Sequence, residues 1–585
     1  MTKTASMIHN PLLALDSWFE DHLKNGQSPA DFNASKSVCD LLQDAHNVQE
    51  IPSLNTTSHL ALAPETIVRF RCMVQDTNLG PEIYLSLHEV NDPTTDQKKL
   101  RCLKYRDADL ADMDQFNEGR IPNEFLDERG VVYCISPPGE SDWLKESDQP
   151  SIDEKISTMS LNDQNQAGSD AQASLKFPLP GVSHASAIVK LYGTDKNIAV
   201  GSEIEIIGIL NRPSPSRTTT DSGDADFDLP KPTFPNTPIV HALSVKALKN
   251  KDVVPISEED ITNVRQQAND IRAQLLEYLG NTFGGDLVVA EYVLLQLLSR
   301  VTSKRGAFAL GQFSLNVTEF PTESIGSDMG KGEANSKPFA SVNLLTSKVS
   351  NILKKILPAF IELPLSLNVL NSTSFYPRST DENLLAGVLQ LIDGTCVLVD
   401  ETVLEEGTLK DQGVKNIQAL NKVIQQQLLG YAYPFHEFDL STDLGFIVVS
   451  RAKSMFPCHC MVPLNNSSTI PLQSLEDNNS LNISEQVLCN FRKYLHILKY
   501  LDYDIPESIS QHIQERFVEA RKAASSQSLP LPTQDDLMMQ LNLARLVSLS
   551  FGSTELTQEL FDYTLNLEKT RTSRLEPAAA AQPQK

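Results

Sequence analysis

The sequence predicts a multidomain protein of α/β plus β class: an OB-like β-barrel, then an α/β unit built on a parallel sheet, then a C-terminal helical region. Three observations predict it. Short, β-branched, alternating segments cluster between residues 66 and 210. After Asp252, continuous apolar runs alternate with helical periods. Two polar stretches poor in large apolar residues, about 145–175 and 211–250, punctuate the chain. At 585 residues the chain exceeds what one core organises.

Taken in order, residues 1–62 form an N-terminal helical region, with Leu12, Leu15, Trp18, Phe19 and Leu23 at helical spacing after Asn10-Pro11. Residues 63–210 form the OB-like domain. Its five strand candidates are 66–76, 82–90, 131–135, 186–193 and 202–210. A disordered loop interrupts it at about 145–175, and a proline-rich linker follows at 211–250.

The α/β domain spans 251–480. Ser257 with Asp260 is a capping-box start for a helix running to Leu279, with Gly280 as its stop. Asp286 caps the next helix, which is apolar almost all round and so buried. Segments 313–317, 365–370, 395–400 and 446–450 read as buried strands, and 342–360 as a helix between them. Residues 481–570 are helical, and 571–585 form a loose tail.

Fifty basic against 75 acidic residues give a net charge of −25. Affinity for nucleic-acid phosphates or anionic lipid comes from Lys and Arg, so neither surface is expected as a direct partner. No apolar run reaches the length of a membrane span, and the N-terminus lacks a signal-peptide pattern. Eight scattered cysteines (39, 72, 102, 134, 396, 458, 460 and 489) read as reduced thiols of the cytosol or nucleus.

Chemistry-bearing motifs are few. Val397-Leu398-Val399-Asp400-Glu401 has the form of a Walker B element, in which Asp holds Mg²⁺ and Glu orients the attacking water. A buried strand ending in two acids is the plain alternative. The only lookalike of a phosphate loop, 326–332, is one residue short and has Gly332 where a hydroxyl belongs. It reads as a polar loop and not as a turn between an apolar strand and a helix. Cys458-His459-Cys460 lacks a second pair of ligands at workable spacing, so a strand with buried thiols is the favoured reading. Arg71, Lys104 and Arg106, with Phe70 and Tyr105 for stacking, would suit single-stranded DNA on a barrel face; a structural or protein-contact role fits the acidity better.

FRCMVQD (70–76), KYRD (104–107), YCISPPGESDW (133–143), FPLPG (177–181), VKLYG (189–193), VVAEYVLLQLLS (288–299), VLVDETVLEEG (397–407) and ARLVSLS (544–550) together closely resemble the MCM-binding protein family. The resemblance runs in order from about residue 8 to 570. A weaker one, at 198–210, 417–431, 509–522 and 544–561, links the chain to the mini-chromosome maintenance (MCM) helicase subunits themselves. It implies a degenerate AAA+-like α/β domain with a C-terminal helical lid. Asp400 and Glu401 would then be an inactive Walker B-like remnant, with no catalytic residue, cofactor or metal. The family resemblance implies a non-catalytic partner of the helicase subunits that regulates assembly, stability or unloading of the complex in replication and supports sister-chromatid cohesion. It also implies a nuclear location. An AAA+-like ATPase and an OB-fold single-stranded-DNA binder are the alternatives. The contact residues expected on the barrel surface are Phe70, Arg71, Asp76, Tyr105 and Arg106, with Glu140 and Trp143 in the P-G-E-S-x-W loop.

Overall fold

Strand β1 (Ile67–Asp76) begins a ring. The computed structural model describes residues 7–41, 50–91, 98–107, 123–147, 171–193, 198–212, 234, 236–306, 308–321, 343–380, 383–465, 483–526 and 531–580. Within them the β-rich half holds β2 (Pro81–Leu85), β3 (Leu87–Asn91), β4 (Lys98–Cys102), β5 (Leu126–Ile135), β6 (Ser186–Leu191), β7 (Glu203–Asn211) and β8 (Ile239–Ala247). β1 pairs with β7, β7 with β8, β8 with β6, β6 with β5, and β5 with β1, so five strands close on themselves. Only β6 and β8 run parallel. Closure removes the free edges an open sheet would expose. β7 bulges at Ile207/Gly208, where a Cβ on Gly208 would lie 2.5 Å from the His241 carbonyl oxygen.

The number of ring strands agrees with the sequence, but the membership does not. The 82–90 segment splits at Ser86 into β2, which flanks β5, and β3, which pairs with β4 outside the ring. Its place is taken by β8, inside the stretch the sequence assigns to the linker. The alternation of Ile239, His241 and Leu243 against Val240 and Ala242 marks a strand; the prolines just before it hide the pattern. The expected loop, over 148–170, and most of the linker, over 213–233, lie outside the described residues.

Helices α1 (Pro11–Lys24) and α2 (Ser35–Leu41) lie against the barrel, where Phe19, Phe32 and Val38 share a core with Ile207, Ile209 and Leu243. One end of the barrel is organised by Asp107. Its carboxylate accepts from Arg129 at 2.6 Å, Lys190 at 2.7 Å and Asn211 at 3.3 Å, and lies 3.5 Å from His241. His241 in turn meets the Tyr192 hydroxyl at 2.7 Å. Burial works against the charged carboxylate, yet His241, Lys190 and Arg129 together hold its pKa below the ordinary range.

The second half is built on five parallel strands: β11 (Leu315–Thr318), β12 (Phe360–Pro364), β15 (Cys396–Asp400), β18 (Gly445–Val449) and β19 (Cys460–Pro463). Their order is β12-β15-β18-β11-β19. Alternate residues face opposite cores: Val397 and Val399 one, Cys396 and Leu398 the other. Both faces are covered, as continuous apolar strands require. Smaller elements surround the sheet: a hairpin of β9 (Ser303–Arg305) and β10 (Phe308–Leu310), and a four-stranded sheet of β13 (Arg378–Thr380), β14 (Asn383–Leu385), β16 (Leu428–Ala432) and β17 (Glu437–Ser441).

Short α3 (Asp142–Ser147) carries Trp143. The Ser257–Asp260 capping box is present, but it starts two helices, α4 (Glu258–Gln266) and α5 (Ala268–Thr282), and Gly280 lies inside the second. Asp286 caps α6 (Leu287–Leu298), which is buried almost all round. Next come α7 (Leu344–Ile356), α8 (Leu367–Ser372) and α9 (Asp411–Gln426). The 365–370 segment, expected as a strand, is mostly helix: Ser366 accepts from the Val369 N–H and starts α8, while the strand lies just before it at β12. Helices α10 (Glu485–Lys499), α11 (Glu507–Ser526), α12 (Gln534–Ser550) and α13 (Gln558–Ala580) complete the chain. α10 and α12 share one core with α5 and α6. α13 continues into the expected tail because Arg571 pairs with Glu568 and Arg574 with Asp286 at 2.7 Å. Among the described residues no helix is long and apolar enough to cross a membrane.

Two outcomes follow from the buried charges. Breaking a buried pair leaves one charge desolvated without compensation. Glu140→Ala, which strips Arg71 of its nearest carboxylate, should therefore cost about 3–5 kcal/mol, read as a lower urea midpoint; a loss under about 1 kcal/mol would show the pair to be dispensable. The second concerns pH. Burial lowers the pKa of His184, His241, His459 and His496. The unfolded chain takes up these protons from about pH 6.5 downward while the folded chain does not, so stability falls with pH below that point, by up to about 1.4 kcal/mol per unit for each group. Thermal unfolding from pH 8 to 5 should show the decline, and His241→Gln should make it shallower; an unchanged slope would exclude His241 as a contributor.

Candidate functional site

In an open α/β sheet the ligand crevice lies beyond the carboxyl ends of the strands, where the chain's direction across the sheet reverses. Here that point is β11: the chain first steps out to β12, β15 and β18 on one side, then to β19 on the other. The lookalike phosphate loop at 326–332 lies outside the described residues. Its flanks are described, and they correct the expectation: in chain order the segment does fall between a buried strand, β11, and a helix, α7.

Among the described residues, polar side chains at this edge bond to one another. Asp400 ends β15 fully buried and accepts from the Thr402 N–H at 2.8 Å and hydroxyl at 2.6 Å. Asn343 donates to the Thr402 hydroxyl at 3.1 Å and to the Pro321 carbonyl at 2.8 Å. Its own carbonyl oxygen caps α7, accepting from the N–H groups of Leu345 and Thr346. A phosphate held at this helix would need those donors. Beside them, Asn316 on β11 donates to Val448 O at 3.2 Å and to the Ser450 hydroxyl at 2.8 Å, and accepts from the Ser454 N–H. Glu401 accepts from the Ser454 hydroxyl. Burial, with Asp400 nearby, raises the Glu401 pKa against the pull of that hydrogen bond. The two acids are thus tied into the fold by neighbouring hydroxyl and amide groups.

His459 is likewise committed: its Nδ1 meets the Ser314 hydroxyl at 2.7 Å and accepts from the Ser314 N–H at 3.1 Å. Burial pushes the thiols of Cys458 and Cys460 up to about 12. Among the described residues no group of three or more His, Cys, Asp or Glu could hold a metal ion.

Of the seven expected contact residues, Phe70, Arg71, Asp76, Tyr105 and Glu140 are buried, unlike the surface positions expected for them, whereas Arg106 and Trp143 are half-buried. Phe70 is 0% exposed in the barrel core. Arg71 is buried against Glu140, with Glu203 at 3.8 Å. Glu140 bridges to Ala359, and Gly139 accepts from the Phe360 N–H at 2.9 Å. Gly139 has φ of +77°, and a Cβ there would meet the Phe360 carbonyl oxygen at 3.0 Å, so this loop needs glycine. Trp143 donates to Leu357 O at 3.2 Å, and the Arg492 guanidinium stacks 4.4 Å over its ring. Asp76 pairs with the buried Lys176 and accepts from the Leu384 N–H at 3.1 Å. Tyr105, at φ +67°, donates to Asn33 at 3.2 Å, and Arg106 pairs with Asp16. Arg71, Asp76, Glu140 and Trp143 form or support the joint between barrel and sheet, Phe70 belongs to the barrel core, and Tyr105 and Arg106 hold the N-terminal segment to the barrel. With Phe70 and Tyr105 enclosed, neither ring offers a base-stacking surface.

Two features are absent from the sequence-based list. One is the hub at Asp107, which no spacing marks, since its partners come from four distant strands. The other is the β16–β17 hairpin, whose Tyr433-Pro434-Phe435-His436 turn between alternating segments was a readable signal. Asp400→Ala should act on stability: it removes two buried hydrogen bonds and should lower it by about 1–3 kcal/mol, measured by chemical denaturation. A variant as stable as the unaltered chain would show that the acid is not held for the fold.

Comparison with known proteins bears on this geometry. The family described as "Mini-chromosome maintenance replisome factor" matches residues 38–163 and 148–575. A Gallus gallus protein named "Mini-chromosome maintenance complex-binding protein" is 28% identical, over 98% of this chain and 98% of its own length. Proteins of the same name from Homo sapiens (28%, covering 90% of this chain and 91% of theirs) and Arabidopsis thaliana (27%, covering 97% and 98%) are similar to it as well.

Proposed function

The chain belongs to the mini-chromosome maintenance replisome factor family, and from that premise we propose that it works by binding subunits of the MCM helicase, without catalysis. The observation that carries this is collinearity: relatives named for binding the complex match this chain from end to end, so barrel, sheet and helices all belong to the shared unit. The closed ring of five strands supports an OB-type reading of the barrel. The parallel sheet, with a Walker B-like strand ending near the reversal point, supports a degenerate AAA+-type reading of the second half. The Asn343–Thr402–Asp400 network supports occupancy of a subunit-like position without turnover, because these three side chains bond to one another.

The proposal extends to regulation of assembly, stability or unloading of the complex in replication, with a supporting role in cohesion, and to a nuclear location. The chain's −25 charge suits basic partner surfaces and opposes direct contact with DNA. Size-exclusion chromatography with light scattering tests it. The purified chain should co-elute with helicase subunits of its own organism without nucleotide, and association should slow as salt rises. Failure to bind any subunit or mixture would overturn the reading, and nucleotide-dependent binding would restore the ATPase alternative.

A further inference from the structure

The hairpin of β16 and β17 stands at the end of its sheet; among the described residues β17 pairs only with β16. Its base is held firmly. Tyr431 is buried in the core, Tyr433 shares a hydrogen bond with Asn78 of the barrel, and Asp439 pairs with Lys422 of α9. Its tip is not covered. Pro434 presets the turn, Tyr433 donates to His436 O at 2.9 Å, and Phe435 is thrust outward at 97% exposure, with Phe438 at 53%. The rings of Tyr433 and His436 stack with centroids 5.2 Å apart, and His436 lies edge-on to Phe438 at 4.4 Å. Tyr433, His436 and Phe438 are therefore braced against one another before any partner arrives, so docking Phe438 sacrifices little rotamer freedom, while the Phe435 ring stands in solvent beside them.

Residues 428–441 carry no Lys or Arg, and Glu437 lies exposed between the two phenylalanines, while Asp439 is paired with Lys422 from α9. An aromatic knob with an acidic rim fits an apolar pocket with a basic rim. It repels nucleic-acid phosphates and anionic lipid alike. A two-fold contact between copies would set the same acids against each other. We infer that this hairpin tip is the anchor by which the chain docks on a helicase subunit, with Phe435 and Phe438 entering a basic-rimmed apolar pocket. The inference rests on the binding reading above.

The test compares the full-length chain with the double variant Phe435→Ala/Phe438→Ala, the charge variant Glu437→Lys and a control at another exposed apolar residue, Leu13→Ala. Dissociation constants are measured against each helicase subunit of the chain's own organism, with thermal unfolding and light scattering alongside. The double variant should unfold like the unaltered chain yet bind at least about thirtyfold more weakly, the scale of losing aromatic hot spots. Glu437→Lys should slow association, and Leu13→Ala should change neither. If the unaltered chain binds and the folded double variant binds equally well, this inference alone is overturned. If the unaltered chain binds no subunit, the binding reading falls and takes the inference with it. Loss of self-association in place of subunit binding would assign the knob to a second copy and also overturn it.

Discussion

The joint between the barrel and the parallel sheet constrains everything else. On the barrel side Arg71 pairs with Glu140 and Asp76 with Lys176, all removed from water; across to the other half, Asp76 accepts from the Leu384 N–H at 3.1 Å and Gln75 donates to Leu384 O at 3.0 Å. Around them Met73, Tyr133, Phe177 and Phe234 form a small apolar core with Ala359 and Ile392. An apolar joint alone tolerates sliding, since dispersion and burial have little direction. Directional hydrogen bonds across the joint do not: the Asp76 carboxylate and the Gln75 amide are both fixed on the Leu384 backbone, and the Trp143 indole on Leu357 O. The 139–141 loop adds backbone registration, with Ser141 N–H on Pro358 O at 2.9 Å. Barrel and sheet are thus held in one geometry, and whatever surface meets a partner is presented by a body of fixed shape.

That rigidity also explains the state of the crevice at the sheet's carboxyl edge. A working nucleotide site keeps helix N–H groups and carboxylates unsatisfied until ligand arrives, and an empty site carries the free-energy cost of those groups. In this chain the cost is relieved internally. Asn343 supplies the cap to α7 and also reaches Thr402, which in turn serves Asp400. Asp400 and Glu401 thus each hold a hydrogen-bonded place in the fold at the end of their strand.

What could be read from the sequence followed from local rules. The caps at Ser257 and Asp286 and the buried runs of β15 and β18 depend on residues near one another in the chain, and these expectations agree with the structure. The 365–370 segment went astray because LSLNVL suits a strand by composition, whereas Ser366 is placed to cap a helix. β8 was hidden by the prolines before it. The site was less legible than the fold. Arginine, tyrosine and tryptophan in short polar motifs suggest a surface, yet Arg71, Tyr105 and Trp143 face partners 69, 72 and 214 positions away in the chain, Glu140, Asn33 and Leu357. No period or spacing encodes such a meeting. The stretch 428–441 did carry its own signal, a proline turn between alternating segments, because a hairpin is closed by neighbours.

The distribution of charge and aromatic surface gives the molecule two modes of recognition with different reach. Its −25 charge acts over about a Debye length, near 8 Å at physiological ionic strength, and biases approach toward basic surfaces without selecting one. Apolar contact acts only once surfaces touch, and it sets how long they stay together. An exposed ring braced by its neighbours, as at Phe438, and the bare ring of Phe435 beside it belong to the second mode; the carboxylate of Glu437 between them belongs to the first. Placing both on one hairpin couples them, since the field that draws the chain toward a basic rim also delivers the aromatic tip to the pocket that rim encloses. The buried joint makes this coupling useful: with barrel and sheet locked, the hairpin's position is set by the whole fold, and its recognition does not have to be assembled at the moment of contact.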